Sequence, residues 1–204
     1  MPSGVDTRRF TPREKTPNSF IAIGRLIAKK RPDITVRALC QAARSCDDAT
    51  LTVIGAGEMR NECEEIVRKE GMTERVHFLG ELSHQEVCEH LAASEYFLQY
   101  SVTSPSGDTE GTPTSIQEAL SAGCVVISTR HASIPDLISE GETDFLVAER
   151  DEAAFRDRIA EAMSRRIDVE KMSANSRNYV LEHLDTEKLY RQLEEIMSAA
   201  VGNA

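Results

Sequence analysis

The sequence predicts an α/β fold: a parallel sheet of about six strands covered by helices on both faces, with a helical C-terminal segment. Three observations predict it. Short apolar runs recur along the chain, and each is followed by a stretch with helical spacing. The runs are compact rather than alternating in and out, the pattern of strands buried on both faces. From Asp151 onward the pattern is helical only. Alternating strands and helices joined by right-handed crossovers give a parallel sheet with two covered faces.

Met1 to Asn18 is rich in Pro, Thr and charge and has no periodicity, so 1–18 reads as a linker or lead-in and 19–204 as the domain. Phe20 to Gly24 is the first strand. Pro32 to Ala43 has helical spacing at Ile34, Val36, Leu39 and Ala43. Leu51 to Gly55 is the second strand, and Glu58 to Glu70 a charged helix stopped by Gly71. Val76 to Gly80 is the third strand. Ser83 caps the next helix, whose buried side is Val87, Leu91 and Ala92. Tyr96 to Gln99, Cys124 to Ser128 and Phe145 to Val147 complete the strands. Helices follow at Phe155–Ile159–Met163, Met172 to Leu181 and Leu189–Leu193–Ile196.

The chain has 204 residues, enough for one domain, and a formal charge of −10. Hydrophobic residues at 40% and charged residues at 28% exclude global disorder. The acidic balance argues against a nucleic-acid partner, which would call for a basic face. No apolar run approaches the ~20 residues that span a bilayer, and no signal-peptide pattern opens the chain, so the expected location is the cytoplasm. Cys40, Cys46, Cys63, Cys88 and Cys124 form no CxxC pair and read as reduced thiols buried as small apolar residues. The five histidines have no metal-ligand spacing, so no metal site is expected.

In open α/β sheets, ligands sit beyond the carboxyl ends of the strands. That places the chemistry at Gly24–Arg25, at Gly55–Ala56–Gly57, after Leu79, in the Tyr100 to Thr114 loop and at Thr129–Arg130–His131. The richest stretch is Asp108 to Leu120. Thr112 is a natural N-cap and Pro113 a natural first helical residue. The free N–H groups of Thr114 and Ser115 at that helix start suit a phosphate. Glu118 lies five residues into the helix, roughly 7–8 Å along its axis. With Glu110 in the loop before it, one carboxylate could grip a sugar and the other a ribose, with phosphates between. Composition alone equally allows a solvated loop acid and an exposed helix acid.

Arg25 and Lys30 leave the first strand as a planar fork and a point charge, a pair suited to a diphosphate, or else ordinary surface charge beside Lys29 and Arg31. Gly55–Ala56–Gly57–Glu58–Met59–Arg60 fails a dinucleotide fingerprint at Arg60 and follows the wrong strand. It reads as a tight turn leaving room for a ligand. No serine stands in a GxSxG context, and Gly24–Arg25–Leu26 lacks the glycines of a dehydrogenase. His131 either faces the cleft or is a hydrogen-bonded structural histidine.

At these residues the sequence resembles a known family. Glu110–Gly111–Thr112–Pro113 through Glu118–Ala119–Leu120, then Ala122 to Thr129, is similar to the signature of group 1 (family 4) retaining glycosyltransferases of the GT-B fold, two glutamates separated by seven residues. Ile23–Gly24–Arg25–Leu26 with Lys30 resembles their diphosphate-binding segment, and 141–147 a further block. The insertion from Ser101 to Thr109 and the run from Arg130 to Pro135 resemble the bacterial exopolysaccharide (colanic-acid type) branch. The likeness runs from about Ser3 to Val147. Arg31 stands where the family usually has Gly, Ser133 replaces a common Gly, and Asp136 replaces a Glu.

The resemblance implies the second, Rossmann-like, donor-binding half of a two-domain enzyme, with Gly4 to Thr7 and Phe10 in the segment that links the halves. Arg25 and Lys30 then hold the donor diphosphate and neutralise the leaving group. Glu110 binds sugar hydroxyls, and Gly111, Thr112, Pro113, Thr114 and Ser115 line sugar and phosphate. Glu118 binds the ribose, Val76 and His77 line the base, and Gly24, Gly55 and Gly57 lie against the donor. The substrate implied is a nucleotide-diphosphate sugar, UDP- or GDP-linked, with no cofactor and no metal. The partners implied are an N-terminal acceptor domain and, through it, a polysaccharide or lipid-linked glycan. A stand-alone nucleotide-sugar-binding module, or a subunit of a split enzyme, is the alternative.

Overall fold

The computed structural model describes residues 4–104, 106–138, 141, 144–164 and 167–202. Pro105, Glu142 and Thr143, which belong to stretches singled out above, lie outside the described residues. Six strands form one sheet in the order β3-β2-β1-β4-β5-β6. They are β1 (Thr16–Ile23), β2 (Thr50–Ile54), β3 (Val76–Gly80), β4 (Ser94–Gln99), β5 (Val125–Thr129) and β6 (Phe145–Val147). Every pairing is parallel, for example Phe20 with Leu51 and Phe97 with Val126. The chain builds outward from β1 through α1 (Pro32–Ala42) and α2 (Arg60–Lys69) to β3. It then returns through α3 (His84–Ala93) to lay β4 on the other side of β1, and α4 (Thr114–Ser121) leads on to β5. The strand order therefore reverses between β1 and β4.

The apolar runs are explained by burial on both faces. Phe20, Leu51, Val53, Tyr96, Leu98, Val125 and Ile127 share one apolar cluster, and Ile21, Ile54, Phe97, Val126 and Leu146 share the other. All six residues of β4 and all five of β5 are buried. Phe20 and Tyr96 stack across the strand pair with centroids 4.7 Å apart. On the first face α1 packs against α5 (Glu152–Met163); on the second, α4 packs against α6 (Val169–His183). The expected cap at Ser83 is present as a reciprocal capping box with Glu86. All five cysteines are free; four are buried, and burial pushes the Cys40 thiol up to about 11 and the Cys63 thiol up to about 12.

The amino-terminal boundary differs from the one expected at residue 19. β1 begins at Thr16, and Asn18, with φ 52°, breaks its regular extension. The Asn18 N–H donates to Glu95 Oε2 at 2.6 Å, and pairing with β4 shifts register between Thr16 and Phe20. A polar, irregular start hid this part of the strand. The segment before it is docked. Val5 N–H donates to Leu184 O at 2.9 Å, Thr186 N–H donates to Val5 O at 3.1 Å, and Val5 and Phe10 are buried. The last helix, α7 (Thr186–Gly202), leaves Tyr190, Ile196 and Met197 exposed. Among the described residues no helix is long and apolar enough to cross a membrane.

Candidate functional site

The carboxyl ends of β1 and β4 flank the point where strand order reverses, which is where an open α/β sheet leaves a crevice. After β1 the chain turns at Gly24 and passes through a 3₁₀ turn, Ala28–Lys30, before Pro32 starts α1. Its path is fixed by the neighbouring loop. Gly24 N–H donates to Ile54 O, Leu26 N–H to Ala56 O, and Met59 N–H to Leu26 O, at 3.0, 2.9 and 3.0 Å. Gly55 and Gly57 permit this approach: a Cβ on Gly55 would run into the Gly24 carbonyl, and one on Gly57 into the Leu26 carbonyl. On the side where a Cβ would stand, the space beside these glycines is filled by backbone. A void of about 30 Å³ remains beneath Gly24 to Lys30, and Lys30 lies over Gly24, where a Cβ would stand 3.7 Å from its Cε.

The loop after β4 brings its acids to these cations. Lys30 Nζ lies 3.0 Å from Glu110 Oε2. Lys29, read from sequence as surface charge, lies 3.0 Å from Asp108 Oδ2 and 3.9 Å from Glu110 Oε1, and Val102 N–H donates to its carbonyl at 3.0 Å. The side chains of Lys29, Lys30 and Glu110 are 15%, 16% and 9% exposed, so these charges meet in a part-buried setting where their field is poorly screened. Glu110 Oε1 is buried and has no hydrogen-bond partner among the described residues. Arg25 is exposed, and no hydrogen bond or ion pair engages its side chain among the described residues.

The helix that follows starts one residue later than expected, at Thr114 rather than Pro113. Pro113 is extended, with ψ 114°, and α4 begins at Thr114 without a side-chain cap. Thr112 does not cap because its hydroxyl sits 3.3 Å from Ser133 Oγ. Ser115 donates instead to Gln99 Oε1 at 3.1 Å. The first N–H groups of α4 are thus left for solvent or an anion. Glu118 is the fifth residue of α4, and His84 Nε2, at the start of α3, lies 3.5 Å from its Oε1. Burial pushes the Glu118 carboxyl above the ordinary range, with His84 and Arg9 opposing.

His131, after β5, is fully buried. Its Nε2 accepts the Glu110 N–H at 3.0 Å, and its Nδ1 lies 2.6 Å from Glu149 Oε1. Glu149 also accepts from Thr103 N–H at 3.0 Å. Burial raises the Glu149 carboxyl, but the Thr103 N–H and His131 outweigh it and hold it below the usual range. Sequence reading left His131 undecided and missed Glu149, because their contacts cross 18 to 46 residues with no periodic signal.

The structure brings Lys30 to Glu110 and over Gly24, while Gly111 to Ser115 and Glu118 follow Glu110 into the start of α4. Val76 and His77 are not brought there. They pair with Leu51 and Thr52 at the amino end of β3, and at ~3.3 Å per residue Val76 is roughly 13 Å from Gly80. The nearer edge of that strand presents Leu79, 41% exposed. Arg31 takes the left-handed conformation, with φ 37°, which explains a glycine preference at that position. Its guanidinium pairs with Asp33 at 2.9 and 3.0 Å and approaches Glu152 at 3.7 Å, away from the site acids. Among the described residues, no cluster of three or more His, Cys, Asp or Glu could hold a metal ion.

Fold and site define a Rossmann-like α/β domain with cations and acids paired at its strand-order reversal, and comparison with known proteins gives the family. Residues 6–179 match the model for glycosyl transferases group 1, and the chain belongs to that family. It is 29% identical over 201 residues to a putative colanic acid biosynthesis glycosyltransferase, WcaL, of Salmonella typhimurium, covering 95% of this chain and 49% of that one. The chain thus spans about half the length of that relative. The C-terminal domain of a glycosyl transferase group 1 family protein, LpcC, from Francisella tularensis superposes with a TM-score of 0.78 at 22% identity, covering 89% of this chain and 99% of that one. Anabaena Alr3699/HepE, solved with UDP-glucose, superposes with a TM-score of 0.80 at 19% identity, covering 96% and 56%.

Proposed function

We propose that this chain is the donor-binding half of a retaining, metal-independent glycosyltransferase of exopolysaccharide or lipid-linked glycan synthesis, working at the cytoplasmic side. The observation that carries the reading is the meeting of Lys30 and Glu110 at 3.0 Å beside Arg25, at the strand-order reversal. A carboxylate that must grip hydroxyls and a cation that must grip phosphate have to stand together, because sugar and diphosphate are joined at the anomeric carbon. The donor is a nucleotide-diphosphate sugar, in keeping with the UDP-glucose held by the Anabaena neighbour.

In this reading Lys30 exchanges its pairing with Glu110 for the diphosphate, and Arg25 adds a second cation. Breaking the bond from the anomeric carbon to the diphosphate leaves negative charge on the leaving oxygen. Two fixed cations and the α4 amides stabilise that charge, the work a metal ion does elsewhere. Glu110 then binds sugar hydroxyls and Glu118 the ribose. Glu110 is not cast as a nucleophile. The acceptor is presented by a second domain, which also closes the cleft against water.

The reading is tested with this chain alone. Calorimetric titration with UDP, GDP and ADP, then with the sugar conjugates of the tightest, is expected to show binding at the carboxyl edge. Sugar transfer to added glycan acceptors is expected to stay at the level of a Glu110→Ala control. Absence of nucleotide binding from a folded chain would sink the donor-site assignment. Robust transfer would sink the two-domain requirement.

A further inference from the structure

We propose that His131 is the positioning residue for Glu110, holding the acid loop through its backbone while Glu149 fixes the imidazole. The inference rests on the reading that Glu110 grips the donor sugar, and it adds how that carboxylate is kept in place.

The loop that carries Glu110 has few apolar anchors, so something else must define its path. The turn after β5 supplies that definition. His131 N–H donates to Thr129 O at 2.8 Å, and Ile134 N–H donates to His131 O at 3.0 Å. Between them Ala132 adopts φ 48°, an uncommon conformation for a residue with a Cβ. That kink lets two side chains reach the same loop. His131 Nε2 accepts from Glu110 N–H at 3.0 Å, and Ser133 Oγ donates to Gly111 O at 2.9 Å.

The imidazole has one available arrangement. A ring nitrogen that accepts the Glu110 N–H carries no proton, so the proton is on Nδ1, where it donates to Glu149 Oε1 at 2.6 Å. Glu149 accepts in turn from Thr103 N–H at 3.0 Å, and Arg150 donates to Thr103 O at 3.1 Å. Thr103 and Glu110 belong to the same loop. Glu149 and His131 therefore tie it at two places seven residues apart to the rigid ends of β5 and β6. An imidazole held by a carboxylate behind it is a rigid acceptor, because rotation of the ring would break both hydrogen bonds. A misplacement of about 1 Å in such a loop is enough to cost a positioned side chain most of its effect.

The experiment has a ligand-free arm and a binding arm. Nitrogen-detected NMR of the ligand-free chain is expected to show His131 as the Nδ1–H tautomer. The Glu110 amide is expected to exchange slowly in the parent and in His131→Gln, whose carboxamide oxygen can accept the same N–H, and quickly in His131→Ala. Strand amides such as Val126 report the fold in every variant. In the binding arm, UDP and UDP-glucose are titrated into the parent, Glu110→Ala, His131→Ala, His131→Gln and Glu149→Ala. His131→Ala is expected to lose about tenfold in UDP-glucose affinity with UDP affinity unchanged, and His131→Gln to restore most of it. Glu149→Ala, at a part-exposed carboxylate that the core does not need, should show the same selective loss to a lesser degree.

An Nε2–H tautomer, or a Glu110 amide indifferent to His131→Ala, overturns the proposal without any ligand. It is also overturned if His131→Ala keeps the parent's UDP-glucose affinity while Glu110→Ala loses it, and in that case the donor-sugar reading stands. If Glu110→Ala and the parent bind UDP-glucose alike, the donor-sugar reading itself fails, and the positioning role in donor binding fails with it.

Discussion

At the amino end of the sheet, Lys15 and Arg177 donate to main-chain carbonyls; at the carboxyl end, Lys29 and Lys30 pair with loop carboxylates. Lys15 Nζ reaches Leu91 O at 3.2 Å, in the last turn of α3, and Ala122 O at 2.7 Å, just past the end of α4. Arg177 reaches Phe10 O, Ser121 O and Thr7 O at 2.7, 2.8 and 2.7 Å. These cations satisfy orphan carbonyls at helix ends and staple the lead-in to α6. A cavity of about 880 Å³ opens beside them, far larger than the void under Gly24, yet Lys15 and Arg177 on its wall are already committed to carbonyls. At the carboxyl end the partners are mainly carboxylates on a loop, which a phosphate can replace, with one main-chain oxygen, Thr109 O, 3.4 Å from Lys29. A cation's partner, more than the size of the cavity beside it, separates structure from chemistry here.

Substitutions at the two ends should therefore fail differently. The largest effect on stability is expected at Arg177. Arg177→Ala strands several part-buried carbonyls and should destabilise folding by about 3 kcal/mol, read by urea unfolding. Nucleotide affinity of the remaining folded protein should match the parent. A variant as stable as the parent would break the comparison at its structural end.

A smaller effect of opposite sign is expected at Glu118. Its folded carboxyl titrates above the ordinary range because it is buried, so the folded state holds a proton more tightly than the unfolded chain. Stability from this group is present below the unfolded pKa and is lost as pH rises through the folded one. Glu118→Gln removes that loss. The ligand-free variant should melt above the parent at neutral pH, with the gap closing as pH falls below the carboxylate range. It should also bind nucleoside diphosphate more weakly, because the ribose contact is gone. A melting difference that does not vary with pH would contradict the burial argument.

The smallest effect is expected at Arg31. Arg31→Gly relieves a left-handed residue but removes its two hydrogen bonds to Asp33, so the net change in stability should stay within about 1 kcal/mol. Nucleotide affinity should not move, since the guanidinium faces Asp33 and Glu152. A clear gain in affinity would show instead that the Arg31 side chain crowds the phosphate side.

What could be read from the sequence follows the same division. Strands announced themselves because both faces are buried, so Phe20, Phe97 and Val126 stand in continuous apolar runs. Strand-end logic and the resemblance put Lys30 and Glu110 on the same edge of the sheet, but their pairing at 3.0 Å was not legible. Contacts without periodicity were invisible. Lys29 looks like its neighbour Arg31 in sequence, yet the 3₁₀ turn and the left-handed Arg31 send them to different acids. Val76 and His77 come from the resemblance alone and disagree with the strand-end logic, which points past Leu79 to the other end of the same strand. Thr16 to Asn18 was hidden by polar residues, and Gly55 and Gly57 gave no sign that a neighbouring backbone fills the space beside them.

The account rests on the cations after β1 as the diphosphate site, and the direct test is calorimetry on Lys30→Ala and Arg25→Ala with a nucleoside diphosphate. In a chain of net charge −10, local cations must overcome the background field, so each substitution should weaken binding by about 1.5–3 kcal/mol, the range for hydrogen bonds to charged groups. Arg25→Ala should unfold within about 1 kcal/mol of the parent, because its side chain is exposed and unpaired, and Lys30→Ala should lose more, because the part-buried Glu110 is left to the more distant Lys29. Folded variants that bind the nucleoside diphosphate as tightly as the parent would contradict the account.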